Sequence, residues 1–265
     1  MSSQNCMEIS SLSKVFDTPS GPYVALKDFR ARFEPGEFVA LVGHSGCGKS
    51  TVLSIVAGLQ ERTEGGVIVD GREIDGPGLD RALVFQSPSL LPWMTALDNV
   101  LLATREGHKS KSRDEQMAIA VKYLELVGVA EYAQQMPPEL SQGTQQRVAI
   151  ARALSLEPRF LLLDEPFGAL DSITRCELQD LVLDLWEREP KTVLMVTHDV
   201  DEALFLSDRI LLMTDGPESR VGLNLQVTLP RPRSRRWAVE NPEYFRLRKE
   251  IIGFLEHHSK QFAHG

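Results

Sequence analysis

Two stretches of this 265-residue chain combine residue types and spacings that suit phosphate chemistry. The first is Gly43-His44-Ser45-Gly46-Cys47-Gly48-Lys49-Ser50, a G-x-x-x-x-G-K-S run followed by Thr51. Its glycines let the backbone curl so that successive N–H groups face phosphate oxygens. A helix opening at Lys49 would add the positive end of its dipole. The Lys49 ammonium can reach β- and γ-phosphates as a compact point charge, and the Ser50 hydroxyl can ligate Mg²⁺. The second stretch, Phe160-Leu161-Leu162-Leu163-Asp164-Glu165-Pro166, is an apolar strand ending on two carboxylates. Such a strand delivers its last residues to the edge where open α/β sheets bind ligands. Asp164 would hold Mg²⁺ directly or through water, and Glu165 would polarise the water that attacks a γ-phosphate. His198 ends a third apolar run and, beside a phosphate site, is a candidate hydrogen-bond partner of the γ-phosphate.

The elements that must position these groups read as an α/β core. Strands are expected at Phe38–Val42, Val67–Val69, Ala82–Phe85, Phe160–Leu163, Thr192–Val196 and Arg209–Met213. A helix is expected from Lys49 to Leu59, closed by Gly58. The region Asp98 to Leu156 is rich in Ala, Leu, Glu and Gln and nearly free of β runs, so it reads as a helical insertion, with helices over Glu115–Val127 and Gln145–Leu154. Pro230 to Arg236 is basic and broken by proline, hence extended. Asn241-Pro242 then opens a helix, along which Tyr244, Leu247, Ile251, Phe254 and Leu255 make an apolar stripe. That stripe packs on its own domain or takes a partner.

Composition sets bounds on the class. The net charge of −8 argues against a nucleic-acid partner. No run of 18 apolar residues suggests a membrane span, and no secretory signal opens the chain. Cys6, Cys47 and Cys176 are odd in number and far apart, which suits a reducing compartment and makes neither a disulfide framework nor a zinc cluster.

Six motifs in order resemble those of the ATP-binding-cassette (ABC) ATPases, over roughly Met7 to Gly222. They are the loop Gly43–Thr51; Gln86, matching the Q-loop; Leu140-Ser141-Gln142-Gly143-Thr144 with the helix after it, matching the signature; Asp164-Glu165; the D-loop Gly168–Asp171; and the switch histidine His198. The signature departs from Leu-Ser-Gly-Gly-Gln at Gln142 and Thr144, a change that bears on the hydrolysis rate if φ is positive at 142.

The resemblance implies an α/β P-loop NTPase fold with a RecA-like core, an antiparallel β subdomain and a helical subdomain at about 88–158. All lie within a cassette spanning 1–225, and a basic segment and amphipathic helix fill 226–265. It implies ATP and Mg²⁺ as ligands, Mg²⁺ held by Ser50, Gln86 and Asp164. Phe16 stands where the family stacks an aromatic on adenine, with Tyr23 as second choice. Glu165, His198 and Gln86 take the catalytic roles. Ser141 and Gly143 touch the γ-phosphate of a second subunit's ATP, and Asp171 crosses that interface, in a homodimer or a heterodimer.

The apolar stretch Ser89 to Leu97 then reads as ordinary core or as the docking groove for a separate membrane permease, through which a solute-binding protein would act. The chain looks most like the nitrate/sulfonate/taurine importers, especially their nitrate, cyanate and bicarbonate members. The matching stretches are Gly21–Leu26, Gly43–Lys49, Met213–Pro217 and Asn241–Lys249. That implies an ATP-hydrolysing subunit peripheral to the cytoplasmic face of the cell membrane. Exporter subunits and soluble ABC ATPases of repair or translation are the alternatives. Lys49 and Ser141 stand 92 positions apart, too close for the long coiled-coil insertion of repair types.

Overall fold

The computed structural model describes residues 6–259. In chain order the elements open with strands β1 (Met7–Thr18), β2 (Gly21–Phe33) and β3 (Phe38–Val42), helix α1 (Lys49–Val56), and strands β4 (Glu64–Val69) and β5 (Arg72–Glu73). Next come β6 (Arg81–Val84), helices α2 (Ala96–Gly107), α3 (Arg113–Leu126) and α4 (Gln142–Leu154), β7 (Phe160–Asp164) and α5 (Ser172–Arg188). The last are β8 (Thr192–Thr197), α6 (Val200–Leu206), β9 (Arg209–Met213), β10 (Val221–Gln226), α7 (Arg235–Glu240) and α8 (Pro242–Ser259). They form two compact units: the chain up to Pro77 together with Thr192 onward, and Gly78 to Lys191.

The first unit holds an antiparallel sheet in the order β2-β1-β4-β5 and a run of strands in the order β10-β9-β3-β8. β3, β8 and β9 are buried at every position, so they read as unbroken apolar runs, as strands covered on both faces do. β3 runs parallel to both neighbours, with Val42 opposite Thr197 on one side and Leu212 on the other. The loops that follow these three strands therefore leave the sheet at one edge. At the opposite end, Arg209 of β9 grips Glu37 by two hydrogen bonds, Nε–Oε1 2.6 Å and Nη2–Oε2 2.7 Å. Arg209 also donates to the Arg32 carbonyl. This pair is largely buried and ties β9 to the turn before β3.

The C-terminal helix α8 packs on α6 and β9 of its own unit. Tyr244, Leu247 and Ile251 of its apolar stripe are buried. Asn241 caps it, its side-chain oxygen accepting from the Glu243 N–H at 2.9 Å.

In the second unit, β6 and β7 pair in parallel, with Val84 opposite Leu163. Helices α2, α3 and α4 pack together beside them. Thr95 caps α2, and Ser112 with Glu115 forms a capping box on α3. The fully buried Asn99 side chain bonds the N–H and carbonyl of Leu91 and the carbonyls of Met94 and Thr95. One amide thus fixes the turn that leads into α2.

The core strands and the helical insertion fall where the sequence places them, and the observed boundaries correct several expectations. The helix after the phosphate loop ends at Val56 rather than Leu59. The helix expected to begin at Gln145 begins at Gln142, because Ser141 supplies the cap directly before it. The basic segment Pro230 to Arg236 is not extended throughout: Arg235 and Arg236 open α7 once Pro232 is passed.

Removing one member of the buried Arg209–Glu37 pair leaves an uncompensated buried charge. Glu37→Ala is therefore expected to cost about 3–5 kcal/mol, read by urea unfolding. Asp28→Asn, which removes the charge from the exposed pair with Arg30 and tolerates the same backbone conformation, is expected to cost far less. Equal effects would place Arg209 in solvent.

Candidate functional site

The phosphate loop lies in the first unit, between β3 and α1. Gly48 stands at the N-cap of α1 with φ 97°, a left-handed conformation that suits glycine, and no side chain caps the helix. A Cβ there would also lie 2.9 Å from the Leu26 side chain of β2. Among the described residues, α2 to α6 each carry a side-chain cap. The first-turn N–H groups of α1 are thus left to another acceptor.

Lys49 is 5% exposed, and its ammonium donates to the carbonyls of Gly43 and His44, both at 2.8 Å. Among the described residues these partners are neutral and no carboxylate pairs with the ammonium. A buried cation at an uncapped helix N-terminus is a strong local demand for an anion. The loop is braced on its other side, where His44 Nδ1 lies 2.7 Å from Asp215 Oδ1. Cys47 is buried in the loop, and burial pushes its thiol up despite the neighbouring Lys49. Ser50 is exposed and Thr51 half-buried at the opening of α1.

Phe16 pairs with Tyr23 across β1 and β2, and the Lys14 ammonium sits 5.1 Å from the Phe16 ring. A Cβ on Gly216 would lie 2.9 Å from the Tyr23 hydroxyl and 4.0 Å from the Gly46 carbonyl oxygen. This hairpin end therefore lies near the phosphate loop. His198 follows Thr197, the residue opposite Val42, so it leaves the sheet at the same edge as Gly43. It is exposed. Phe16, residues 43–51 and His198 thus belong to one unit.

The other expected site residues lie in the second unit. Asp164 ends β7 and is half-buried, and Glu165 follows with φ 45°, a conformation rare for a residue with a side chain. Gln86 lies two residues past Val84, in step with Glu165 two residues past Leu163. A Cβ on Gly168 would be 3.2 Å from Gln86 Nε2 and 3.7 Å from Glu165 Oε2, so the two side chains converge there. Strained carboxylates of this kind gather at sites where geometry matters more than local comfort.

Ser141 is the N-cap of α4, its hydroxyl accepting from the Thr144 N–H at 3.2 Å and lying 2.8 Å from the Thr144 hydroxyl. Gln142 is the first residue of α4 and is absent from the residues with positive φ, so its side chain imposes no strain. Gly143 has a different reason to be glycine: a Cβ there would be 2.4 Å from the Thr174 methyl group of α5. Asp171 caps α5, accepting from Ile173 and Thr174 N–H, both at 3.1 Å. The hydrogen bonds from the Thr174 hydroxyl and N–H hold its carboxyl below the usual range.

Two residues were not singled out from the sequence. Gln146, 1% exposed, donates to the Phe85 carbonyl at 3.0 Å, directly before Gln86. Arg152 donates to the Ser89 and Pro88 carbonyls at 2.9 and 3.1 Å. Both tie the segment around Gln86 to α4.

Gly143→Ala is expected to cost about 1–3 kcal/mol through overpacking, with most of it recovered by adding Thr174→Ser, which removes the opposing methyl group. Urea unfolding of the two variants measures this, and no recovery would mean that the cost arises elsewhere. Thiol labelling of the native chain is expected to reach the half-buried Cys6 and Cys176 before Cys47. Mass spectrometry after timed quenching reads the order, and Cys47 labelled first would contradict its packing.

Comparison with known proteins adds identity to this geometry. Residues 26–168, more than half of the chain, match the model of the family described as ABC transporter. The chain is 51% identical to the nitrate import ATP-binding protein NrtD of Synechococcus elongatus, over 96% of this chain and 91% of that one. It is 46% identical to the bicarbonate transport ATP-binding protein CmpD of the same species, over 97% and 91%. A solved structure described as a dimeric, post-hydrolysis state of the ATP-binding cassette MJ0796 bound to ADP and Pi aligns with TM-score 0.76 and 34% identity. It covers 84% of this chain and 100% of that one. An uncapped, cation-bearing helix terminus and a strained strand-end carboxylate, in a chain with these relatives, lead to one conclusion: the chain belongs to the ABC transporter family, as one of its ATP-binding, ATP-hydrolysing members.

Proposed function

We propose that this chain energises an importer of a small anion. Nitrate and bicarbonate come first, by likeness to the two relatives named above; cyanate and sulfonates such as taurine follow. The observation that carries the nucleotide reading is the buried Lys49 ammonium, with no carboxylate paired to it among the described residues, at the uncapped start of α1. ATP phosphates supply the negative charge and the acceptors that this terminus lacks.

Within this reading, residues 43–51 cradle the phosphates, and Phe16 meets the adenine ring. Glu165 accepts a proton from the attacking water, Gln86 orients that water, and His198 donates to the γ-phosphate. Ser50, Gln86 and Asp164 offer hydroxyl, amide and carboxylate oxygens, a set that fits Mg²⁺. Among the described residues no group of three or more His, Cys, Asp or Glu is placed to hold a metal. When bound, the cation neutralises charge on the phosphates.

Ser141 and Gly143 close over ATP held by a second cassette, identical or not, and Asp171 lies at that interface. The described dimer of MJ0796 supports such pairing here. No helix among the described residues is long and apolar enough to cross a membrane. In the proposed importer the permease is a separate pair of subunits, a solute-binding protein delivers the anion to it, and this chain sits on the cytoplasmic face of the cell membrane. Trp93, 69% exposed on the turn that Asn99 fixes, supports a docking role for Ser89 to Leu97.

Glu165→Gln is expected to keep ATP binding, to lose hydrolysis by about 100-fold or more, and to accumulate an ATP-bound dimer on size exclusion. Undiminished phosphate release would remove Glu165 from this role. For the solute, a strain without the gene is expected to fail on one limiting source among nitrate, bicarbonate, cyanate and taurine. The wild-type gene should restore growth and Lys49→Ala should not. Normal growth on all four, with other uptake routes removed, would favour export.

A further inference from the structure

The segment after β10 has no part in the reading above, yet it holds α6 at both ends. α6 is seven residues long and starts two residues after His198. So short a helix has little stability of its own and depends on what surrounds it. At its C-terminal end, Arg233, 7% exposed, donates Nη1 to the carbonyls of Leu204, Phe205 and Ser207 at 3.1, 3.2 and 2.6 Å. Arg231 donates to the Leu206 carbonyl at 2.7 Å and to Asp208 Oδ1 at 2.9 Å. The Arg235 guanidinium lies 4.4 Å from the Phe205 ring centre. Carbonyls left over at a helix end are thus met by guanidinium groups, which also oppose the negative end of its dipole.

At the N-terminal end the grip comes from α8. The Tyr244 hydroxyl donates to Asp201 Oδ1 at 2.7 Å, and Arg248 Nε donates to the same oxygen at 2.6 Å. Burial raises the Asp201 carboxyl, and the bonds from Arg248 and Tyr244 outweigh it, leaving the group below the usual range. Asp201 is also held through its backbone: its N–H and that of Glu202 donate to Asp199 Oδ1 at 2.9 and 3.0 Å. Asp199 in turn donates its N–H to Thr197 Oγ1 at 3.0 Å, spanning His198. A continuous chain of contacts therefore runs from α8 through Asp201 and Asp199 to the two residues that flank the histidine.

We propose that the segment from Leu229 to Ile251 is a positioning element for His198: it fixes the short helix behind the histidine at both ends and so sets where the imidazole meets the nucleotide. The proposal rests on the reading of His198 as the group that meets the γ-phosphate. Tyr244 and Arg248 are positioning residues, since neither touches ATP in that reading. Their loss would loosen the imidazole without disturbing the phosphate loop, so turnover suffers and ATP binding does not.

The test uses the full-length chain with Tyr244→Phe and Arg248→Gln combined, which removes both donors to Asp201 and keeps most of the packing volume. Phosphate release is expected to fall about tenfold in kcat, the scale of a modest loss of alignment. The KM for ATP is expected to stay within about twofold, the split that marks loss of a transition-state interaction. The variant Arg248→Lys with Tyr244 kept is expected to recover most of kcat. The single variant Arg248→Gln, at a side chain 42% exposed, is expected to show a smaller loss of the same kind and tests the idea if the double variant does not fold.

Imidazole ¹⁵N spectra give a readout independent of catalysis. The His198 signals, assigned by their loss in His198→Ala, are expected to move in the double variant. Unmoved signals with unchanged kcat, while His198→Ala abolishes hydrolysis, would overturn the proposal and leave the histidine's role standing. Full hydrolysis by His198→Ala would instead overturn that role, and moved signals would still support the mechanical link. A KM that rises in step with the fall in kcat would mean general disruption and would also overturn it.

Discussion

Lys49 is a buried ammonium held by the neutral carbonyls of Gly43 and His44, and much of the first unit follows from that arrangement. A charge taken out of water without a partner is costly unless polar groups surround it. Here the Gly43 and His44 carbonyls turn inward to meet it, which obliges the loop to curl. The curl needs the left-handed Gly48, and Gly48 leaves α1 without a capping side chain. The same arrangement that accommodates the cation leaves amide donors aimed at the same space. The parallel register of β3 with β8 and β9 then brings the Asp215 and His198 loops to that edge. Under the proposed function, nucleotide affinity is a consequence of how the loop satisfies its own lysine.

The second unit meets a different constraint, the placement of a carboxylate just beyond a strand. Glu165 adopts a left-handed backbone, at a cost of about 1–3 kcal/mol for such strain. Its surroundings offset this by fixing the neighbours. Pro166 and Phe167 are buried behind it, and Gln86 meets it over Gly168. Gln86 itself is exposed, so its position depends on the Gln146 and Arg152 bonds to the carbonyls around it. Both come from α4, the helix that Ser141 caps. The signature helix and the Q-loop are thus one mechanical piece within this unit.

The strands β3, β7, β8 and β9 and the phosphate loop were legible in the sequence because burial on both faces leaves an unmistakable apolar run, and because the loop's chemistry needs fixed residues at fixed spacing. The long β1–β2 pair was not. Its register shifts three times between Ile9 and Val15, and Ser11 and Asp28 have positive φ, so the alternation that marks a half-buried strand is broken. α5 was hidden because Asp171 was read for its place in a motif, although an Asp two residues before Ile173 also signals a helix start. The basic run near Pro230 was only partly legible for a third reason. Its prolines gave an extended backbone but no partners, whereas Arg231 and Arg233 serve the carbonyls of α6. Composition could not reveal partners that lie more than twenty residues away.

If Ser141 meets a phosphate as proposed, the altered signature shows how a local departure can keep that contact. Ser141 and Thr144 hydroxyls lie 2.8 Å apart, and either can donate. A serine hydroxyl carries one proton and two acceptor sites. The Thr144 N–H already occupies one acceptor site. If Ser141 donated to Thr144, its proton would be spent within the chain. A phosphate oxygen, which can only accept once ionised, selects the other arrangement, in which Thr144 donates into the second acceptor site and the Ser141 proton points outward. In that arrangement threonine at this position completes the serine's acceptor sites and orients its proton. Gln142, in ordinary helical conformation, adds no strain against it. The substitutions therefore leave the cap, the dipole and the donor of the signature helix in place, and they change the side chains that surround the donor rather than the donor itself.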